Sequence, residues 1–231
     1  HLLAVFPFVK GLGRRTHLFT SCSQDTSNRL LASQLLYGAP LSVPIPDLPR
    51  TELLIMMGSN PVVSHGSFLT TPRIKDRMSD IVKRGGRVVI VDPRRTETAA
   101  AFEWQPIAPD GDAYLLLSLL QVLFAENLVD EQKVGTQARG LDWLREQCAG
   151  FTPEATAART GIPPDTVRAL ARELAGTERA AVYGRFGTCV GRHPTLTAYL
   201  IDVVNLVTGH LDVPGGSVFA TMGAPGQRAS M

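Results

Sequence analysis

Residues 52–66 read ELLIMMGSNPVVSHG, and residues 87–96 read RVVIVDPRRT. Both stretches open on a short apolar run without polar–apolar alternation, the pattern of a strand covered on both faces. Both then break at a small or acidic residue into a turn. Three more runs read as strands: HLFTS (17–21), WQPIA (104–108) and AAVYGR (180–185). Helical stretches separate them, at about 26–37, 72–84, 112–125, 140–147, a pair near 153–159 and 164–175, and one near 195–208. Strand alternating with helix predicts an α/β chain with a Rossmann-like, mostly parallel sheet and helices on both faces, plus the start of a neighbouring α/β domain.

Two segments bracket this pattern. DAYLLLSLLQVLFA (112–125) is apolar on nearly every face and predicts a central buried helix, with Asp112 placed to cap its free N–H groups. GAPLSVPIPDLPR (38–50) carries four prolines and reads as an extended connection outside regular structure. The tail after Ser217 ends in small and polar residues, as a frayed terminus does.

Composition narrows the function. With 231 residues, 44% hydrophobic and 19% charged, the chain buries a full core, which excludes disorder. A net charge of +2 is too small for a general polyanion binder. Lys occurs only at 10, 75, 83 and 133, leaving 19 Arg, the residue suited to a two-pronged grip on phosphate. The longest nearly apolar run, Tyr114 to Ala125, falls short of the roughly 20 residues a membrane span needs, so no membrane insertion is expected. Cys22, Cys148 and Cys189 lie at no metal-ligand spacing, which excludes a zinc or iron–sulfur site built by this chain alone and makes a cytoplasmic location the expectation. The opening residues HLLAVFPFVKGLGRR lack a signal-peptide pattern, and the chain reads as an interior piece of a longer protein.

Three constellations carry chemistry. In GSNPVVSHG (58–66), Gly58 lets backbone approach a ligand and Asn60 offers both donor and acceptor; the same residues also fit an ordinary βα turn. In VDPRRTETA (91–99), Asp92 ends a strand where a carboxylate accepts ribose hydroxyls, and Arg94 and Thr96 suit phosphate oxygens; an Asx turn is the plainer reading. In PDGDAYLL (109–116), Asp112 can read guanine, accepting from N1–H and the 2-amino group together. No GxGxxG, GxxxxGK[ST] or GxSxG occurs, which disfavours an ordinary NAD site, a Walker loop and a hydrolase elbow.

Taken in order, GSNPVVSHG, RGGRVVIVDPRRTETA and the PxGD loop opening a long apolar helix resemble the molybdopterin oxidoreductases of the dimethyl sulfoxide reductase superfamily. TGIPPDTVRALAREL, AAVYGRFGT and DVVNLVTGHLDVPGGSVF extend the resemblance over almost the whole chain. It implies a bis-molybdopterin guanine dinucleotide cofactor with Mo or W, and a 4Fe-4S cluster in an amino-terminal segment that has no counterpart here. Gly58, Asn60, Asp92, Thr96 and Asp112 are thereby assigned to one guanosine diphosphate, with Ser59, Ser64, Arg94 and Gly111 beside them and Gln24 and Asp25 lining the cofactor. The implied division is 1–16 as the end of a preceding domain, 17–180 as the nucleotide-binding domain and 181–231 as the return into its neighbour. The implied partners are the remainder of the polypeptide and an electron-transfer subunit, and the first expectation for chemistry is formate dehydrogenase-like or nitrate reductase-like.

Departures from the family pattern matter too. Pro109–Asp110–Gly111–Asp112 replaces the usual Pro-Gly-Thr-Asp, and Thr208–Gly209–His210 replaces Thr-Gly-Asn. The position of the metal ligand falls on Leu31, which cannot ligate, so a metal without a protein ligand is expected, with Cys22 as the ligand or a member that has lost its redox chemistry as the alternatives. Two other function classes stand beside this one. A non-catalytic nucleotide-binding or subunit-contact domain fits the same motifs. A helix-turn-helix DNA reader fits ARTGIPPDTVRALAREL (158–174), although near-neutral charge argues against nucleic acid as a partner.

Overall fold

The structure, a computed structural model, describes residues 2–13, 15–17, 19, 22–69 and 71–219. Among the described residues six strands appear: β1 (Pro44–Pro46), β2 (Leu53–Met57), β3 (Arg87–Val91), β4 (Glu103–Gln105), β5 (Ala180–Gly184) and β6 (Ser217–Phe219). The helices are α1 (Leu2–Gly11), α2 (Cys22–Asp25), α3 (Ser27–Tyr37), α4 (Pro61–Ser64), α5 (Ile74–Lys83), α6 (Glu97–Ala101), α7 (Asp112–Ala125), α8 (Glu131–Gln137), α9 (Leu141–Cys148), α10 (Pro153–Thr160), α11 (Pro164–Gly176), α12 (Phe186–Cys189) and α13 (Pro194–Val207).

The main sheet has the order β4-β3-β2-β5, every pair parallel, as the unalternated runs require. Strands β2, β3 and β5 split their side chains between two cores. Leu53, Ile55, Met57, Val89, Val91 and Val182 face a cluster completed by α7, α11 and α13. Leu54, Met56, Val88, Ile90 and Tyr183 face Ile74, Met78 and Ile81, the i, i+4, i+7 stripe of α5. The sheet is therefore sandwiched between helical layers, and its carboxyl ends open at Gly58, Asp92, Pro106 and Arg185.

Helix α7 is buried on most sides because α9, α10, α11 and α13 all pack around it. Asn205 on α13 closes the free edge of β5. Its Oδ1 accepts from Val182 N–H at 2.8 Å, and its Nδ2 donates to the Val182 carbonyl at 2.8 Å. One side-chain amide thus does the work of a missing neighbouring strand.

Five sequence expectations need correction or placement. The strand expected at 17–21 is not seen at His17 or Phe19, and residues 18, 20 and 21 lie outside the described ones. The proline-rich stretch 38–50 does contain regular structure: β1 pairs antiparallel with β6, Ile45 opposite Val218. Prolines at 44 and 46 tolerate this because a two-stranded ladder has an edge on each side, where a missing N–H costs nothing. The strand expected at 104–108 runs from Glu103 to Gln105 and stops before Pro106. Asp112 is the first residue of α7 rather than its side-chain cap, the N-cap position being Gly111. The frayed tail falls largely among residues 220–231, outside the described set. No helix among the described residues is long and apolar enough to cross a membrane.

Candidate nucleotide site

The turn after β2 is held tightly against the turn after β5. Gly58 N–H donates to the Val91 carbonyl at 3.0 Å, and Gly187 N–H donates to the Gly58 carbonyl at 2.9 Å. Gly58 has φ +53, and a Cβ there would lie 2.7 Å from Gly187 Cα and from Thr188 N, so only glycine fits. The strand-end glycine serves this backbone crossing between β2 and α12, the switch point at which ligands bind in open parallel sheets.

Around that crossing two polar atoms have nothing to bind. Ser59 is 3% exposed and its hydroxyl has no partner; Arg185, 6% exposed, leaves its Nε unpaired. The rest of Arg185 is fixed. Its Nη2 donates to Asp25 at 2.8 Å, and its guanidinium lies 4.6 Å from the centre of the Phe68 ring. Orphaned polar atoms at this depth cost free energy unless a ligand satisfies them.

Asn60 is committed to its own loop. Its Oδ1 accepts from Thr98 N–H and hydroxyl at 3.2 and 2.7 Å, and its Nδ2 donates to Glu97 at 2.7 Å. This ties the β2 turn to α6. Thr96, 4% exposed, caps α6 by accepting from Ala99 N–H at 3.1 Å. Arg94 is exposed and sits 3.9 Å from Glu97, while Ser64 is exposed on α4. Gln24 is exposed on α2 and Asp25 is half-buried against Arg185.

The acidic pair at the β3 side of the same carboxyl end is different in kind. Asp92 accepts Arg94 N–H at 2.9 Å, and its own carbonyl takes Trp104 Nε1–H at 2.9 Å, which locks the backbone of the β3 tip. Burial pushes its carboxyl above the ordinary value. Asp112 is pushed further, up to about 6, first by burial and then by the fields of Asp92 and Asp110. Two crowded carboxylates, each short of donors, make a site that favours a ligand rich in N–H or O–H groups. Gly111, buried beside Ala108, holds the turn that leads into Asp112.

His210, the departure at the end of α13, is 3% exposed. Its Nε2 donates to the Thr177 carbonyl at 2.8 Å and its Nδ1 faces the Thr208 hydroxyl at 2.8 Å. Burial lowers its pKa, so a neutral ring staples the turn after α11 to the turn after α13. Leu31 lies half exposed on α3, and Cys22 is exposed on α2. Among the described residues no group of three or more His, Cys, Asp or Glu could hold a metal ion.

Arg185, Phe68 and Thr98 went unread as site residues in the sequence. A Gly-Arg-Phe-Gly turn following a strand is the one signal that marks Arg185, since an Arg immediately after a buried strand needs a partner.

The arrangement is an open parallel α/β sheet whose carboxyl-end turns present paired acids and an arginine. Residues 3–228 match a sequence model of the molybdopterin oxidoreductase family, and the chain belongs to that family. It is 29% identical to dimethyl sulfoxide reductase DmsA of Escherichia coli over 77% of its length, and 26% identical to formate dehydrogenase H of the same organism over 80%. The chain spans about a quarter of the length of these curated relatives. Among solved structures it is similar to acetylene hydratase from Pelobacter acetylenicus, with a TM-score of 0.69 and 20% identity over 79% of this chain and 24% of that one.

Proposed function

We propose that this chain is the part of a molybdenum or tungsten oxidoreductase that holds the guanosine diphosphate end of a molybdopterin guanine dinucleotide. The observation that carries the reading is the pair Asp92 and Asp112. They are desolvated at the tips of β3 and α7, and Asp112 is raised to about 6 by burial first and then by the fields of Asp92 and Asp110, against which its own N–H is the opposing hydrogen bond. Guanine presents N1–H and the 2-amino group in the spacing a carboxylate accepts, and ribose presents two hydroxyls. The residues present fit the group. Asp112 suits the base, Asp92 the ribose, and the orphaned Ser59 hydroxyl and Arg185 Nε supply donors near the β2–β5 crossing for the pterin side.

Within this reading the chain binds, orients and excludes water, and the cofactor supplies the redox chemistry. Asn60, Thr96 and Gly58 shape the cradle instead of gripping the ligand, since their polar atoms are spent within the fold. Formate dehydrogenase-like or nitrate reductase-like turnover by the whole protein, with the remainder of the polypeptide, a 4Fe-4S segment and an electron-transfer subunit as partners in a cytoplasmic enzyme, is part of the same proposal.

The DNA-reading alternative is weakened by the packing of α10 and α11. Val167, Leu170, Ala171 and Leu174 are buried against α7, and Arg168, Arg172 and Arg179 each meet a carboxylate, on Glu154, Glu126 and Glu52. The test of the proposal is cofactor content. In the full-length protein Asp112→Ala and Asp92→Ala should each lower molybdenum and pterin per polypeptide several-fold; wild-type content in both would refute it.

A further inference from the structure

Beside the β4–α7 loop lies a cavity of about 370 Å³ lined by Asp110, Tyr114, Arg159, Arg192 and His193. Its walls come from three places in the chain: the loop before α7, the end of α10 and the loop before α13. They are fastened to one another. Asp110 Oδ1 accepts Arg192 N–H at 2.7 Å, and Ala108 N–H donates to the Thr160 carbonyl at 2.7 Å. A Cβ on Gly191 would stand 2.4 Å from Asp110 Oδ1, so glycine is what lets the loop close. Asp110 itself adopts φ +67, a left-handed backbone uncommon outside glycine.

The charge of this cleft is cationic. Arg159 forms no ion pair among the described residues and instead stacks on the Tyr114 ring, its guanidinium carbon 5.7 Å from the ring centre. The His193 ring meets the other side of the geometry, edge-on to Tyr114 at 6.4 Å. Arg192 approaches Asp110 at 3.6 Å with its side chain 81% exposed, leaving donors to spare. The two 14-residue helices α7 and α13 both begin here, adding the partial positive charge of their free N–H groups. The lining carboxylate Asp110, with Asp112 at the start of α7 close enough to feel its field, thus faces two guanidinium groups and two helix starts.

We propose that this cleft binds a phosphate anion, with Arg159 and Arg192 gripping the phosphoryl oxygens from opposite loops. Two sources share that chemistry: the diphosphate of the guanosine nucleotide, which rests on the function proposed above, and a free phosphate compound, which does not.

Titration calorimetry with inorganic pyrophosphate on the full-length protein, prepared with and without its cofactor, tests the site. The cofactor-free chain should bind pyrophosphate saturably at one site. Arg159→Ala and Arg192→Ala should each weaken binding about tenfold, as the loss of a charge-assisted contact predicts. Arg77→Ala, an exposed arginine on α5, should leave it unchanged. If the cofactor-loaded protein no longer binds pyrophosphate, the nucleotide is the source; if it binds equally well, the source is a free anion. A parallel titration with guanosine diphosphate separates the two proposals: equal affinity for guanosine diphosphate and pyrophosphate removes the guanosine reading and leaves the phosphate cleft standing. Absence of saturable binding to the cofactor-free chain, or wild-type affinity in the Arg159→Ala/Arg192→Ala double variant, overturns the cleft.

Discussion

Replacing Asp112 with Asn should make the ligand-free chain more stable and less able to bind its nucleotide, and the two effects share one cause. In the folded chain the Asp112 carboxyl titrates at about 6 against 3.8 ordinarily, chiefly because burial disfavours its charge. A difference of about two units corresponds to about 3 kcal/mol at 1.36 kcal/mol per unit, an upper figure because the side chain keeps some exposure. The sign follows from proton binding. Below pH 3.8 both states hold the proton and the burial of Asp112 costs little. Between 3.8 and about 6 the folded state holds a proton that the unfolded state has released, so stability falls as pH rises. Above about 6 the full penalty applies. Asn is the same size and does not titrate. The stability advantage of Asp112→Asn should thus be near zero at pH 3.5 and grow to about 2–3 kcal/mol by pH 7.5. Urea denaturation of both proteins across that range reads it directly. An advantage that does not change with pH would refute the argument that the carboxylate is desolvated and short of donors.

Four other changes probe the remaining contacts. Asn205→Leu strips Val182 of both hydrogen bonds on the edge of β5 and should cost about 2–5 kcal/mol, read as a drop in the urea midpoint. Gly58→Ala drives a methyl into the Gly187 backbone and imposes a left-handed φ on alanine; about 3 kcal/mol or more should be lost in thermal unfolding, together with cofactor content. Arg29→Met leaves Asp202 buried without the guanidinium that meets both its oxygens, at 2.8 and 2.7 Å, and should cost about 3–5 kcal/mol by the same measurement. Ser59→Ala removes a hydroxyl with no partner, so the ligand-free chain should keep or gain up to about 1 kcal/mol while cofactor retention during gel filtration falls.

How much of this was legible in the sequence depends on where each interaction is encoded. Strands β2, β3 and β5 and helix α7 are written in contiguous apolar runs, and the positions of Asp92 and Asp112 follow from which residue ends each run. The edge strands β1 and β6 are not, because a three-residue ladder through two prolines, Ile45 opposite Val218, is decided by a partner from the far end of the chain, not by propensity. Asn60 and Thr96 illustrate a second limit. Residue type announces polar atoms at a strand tip, yet only the fold shows that Thr98 and Ala99 have already claimed them. Arg185 was hidden for the opposite reason: its partners Asp25 and Phe68 lie more than 100 residues upstream, and the Gly-Arg-Phe-Gly turn that marks its place says nothing of who those partners are.

The central claim is that the two acids at the sheet's carboxyl edge receive the guanosine. A crystal structure of the full-length protein with its cofactor bound decides it by distance. The account predicts the guanine N1 and 2-amino nitrogens within hydrogen-bonding reach of Asp112 and a ribose hydroxyl within reach of Asp92. A guanine seated against other residues, with both carboxylates facing only solvent or protein, would contradict it.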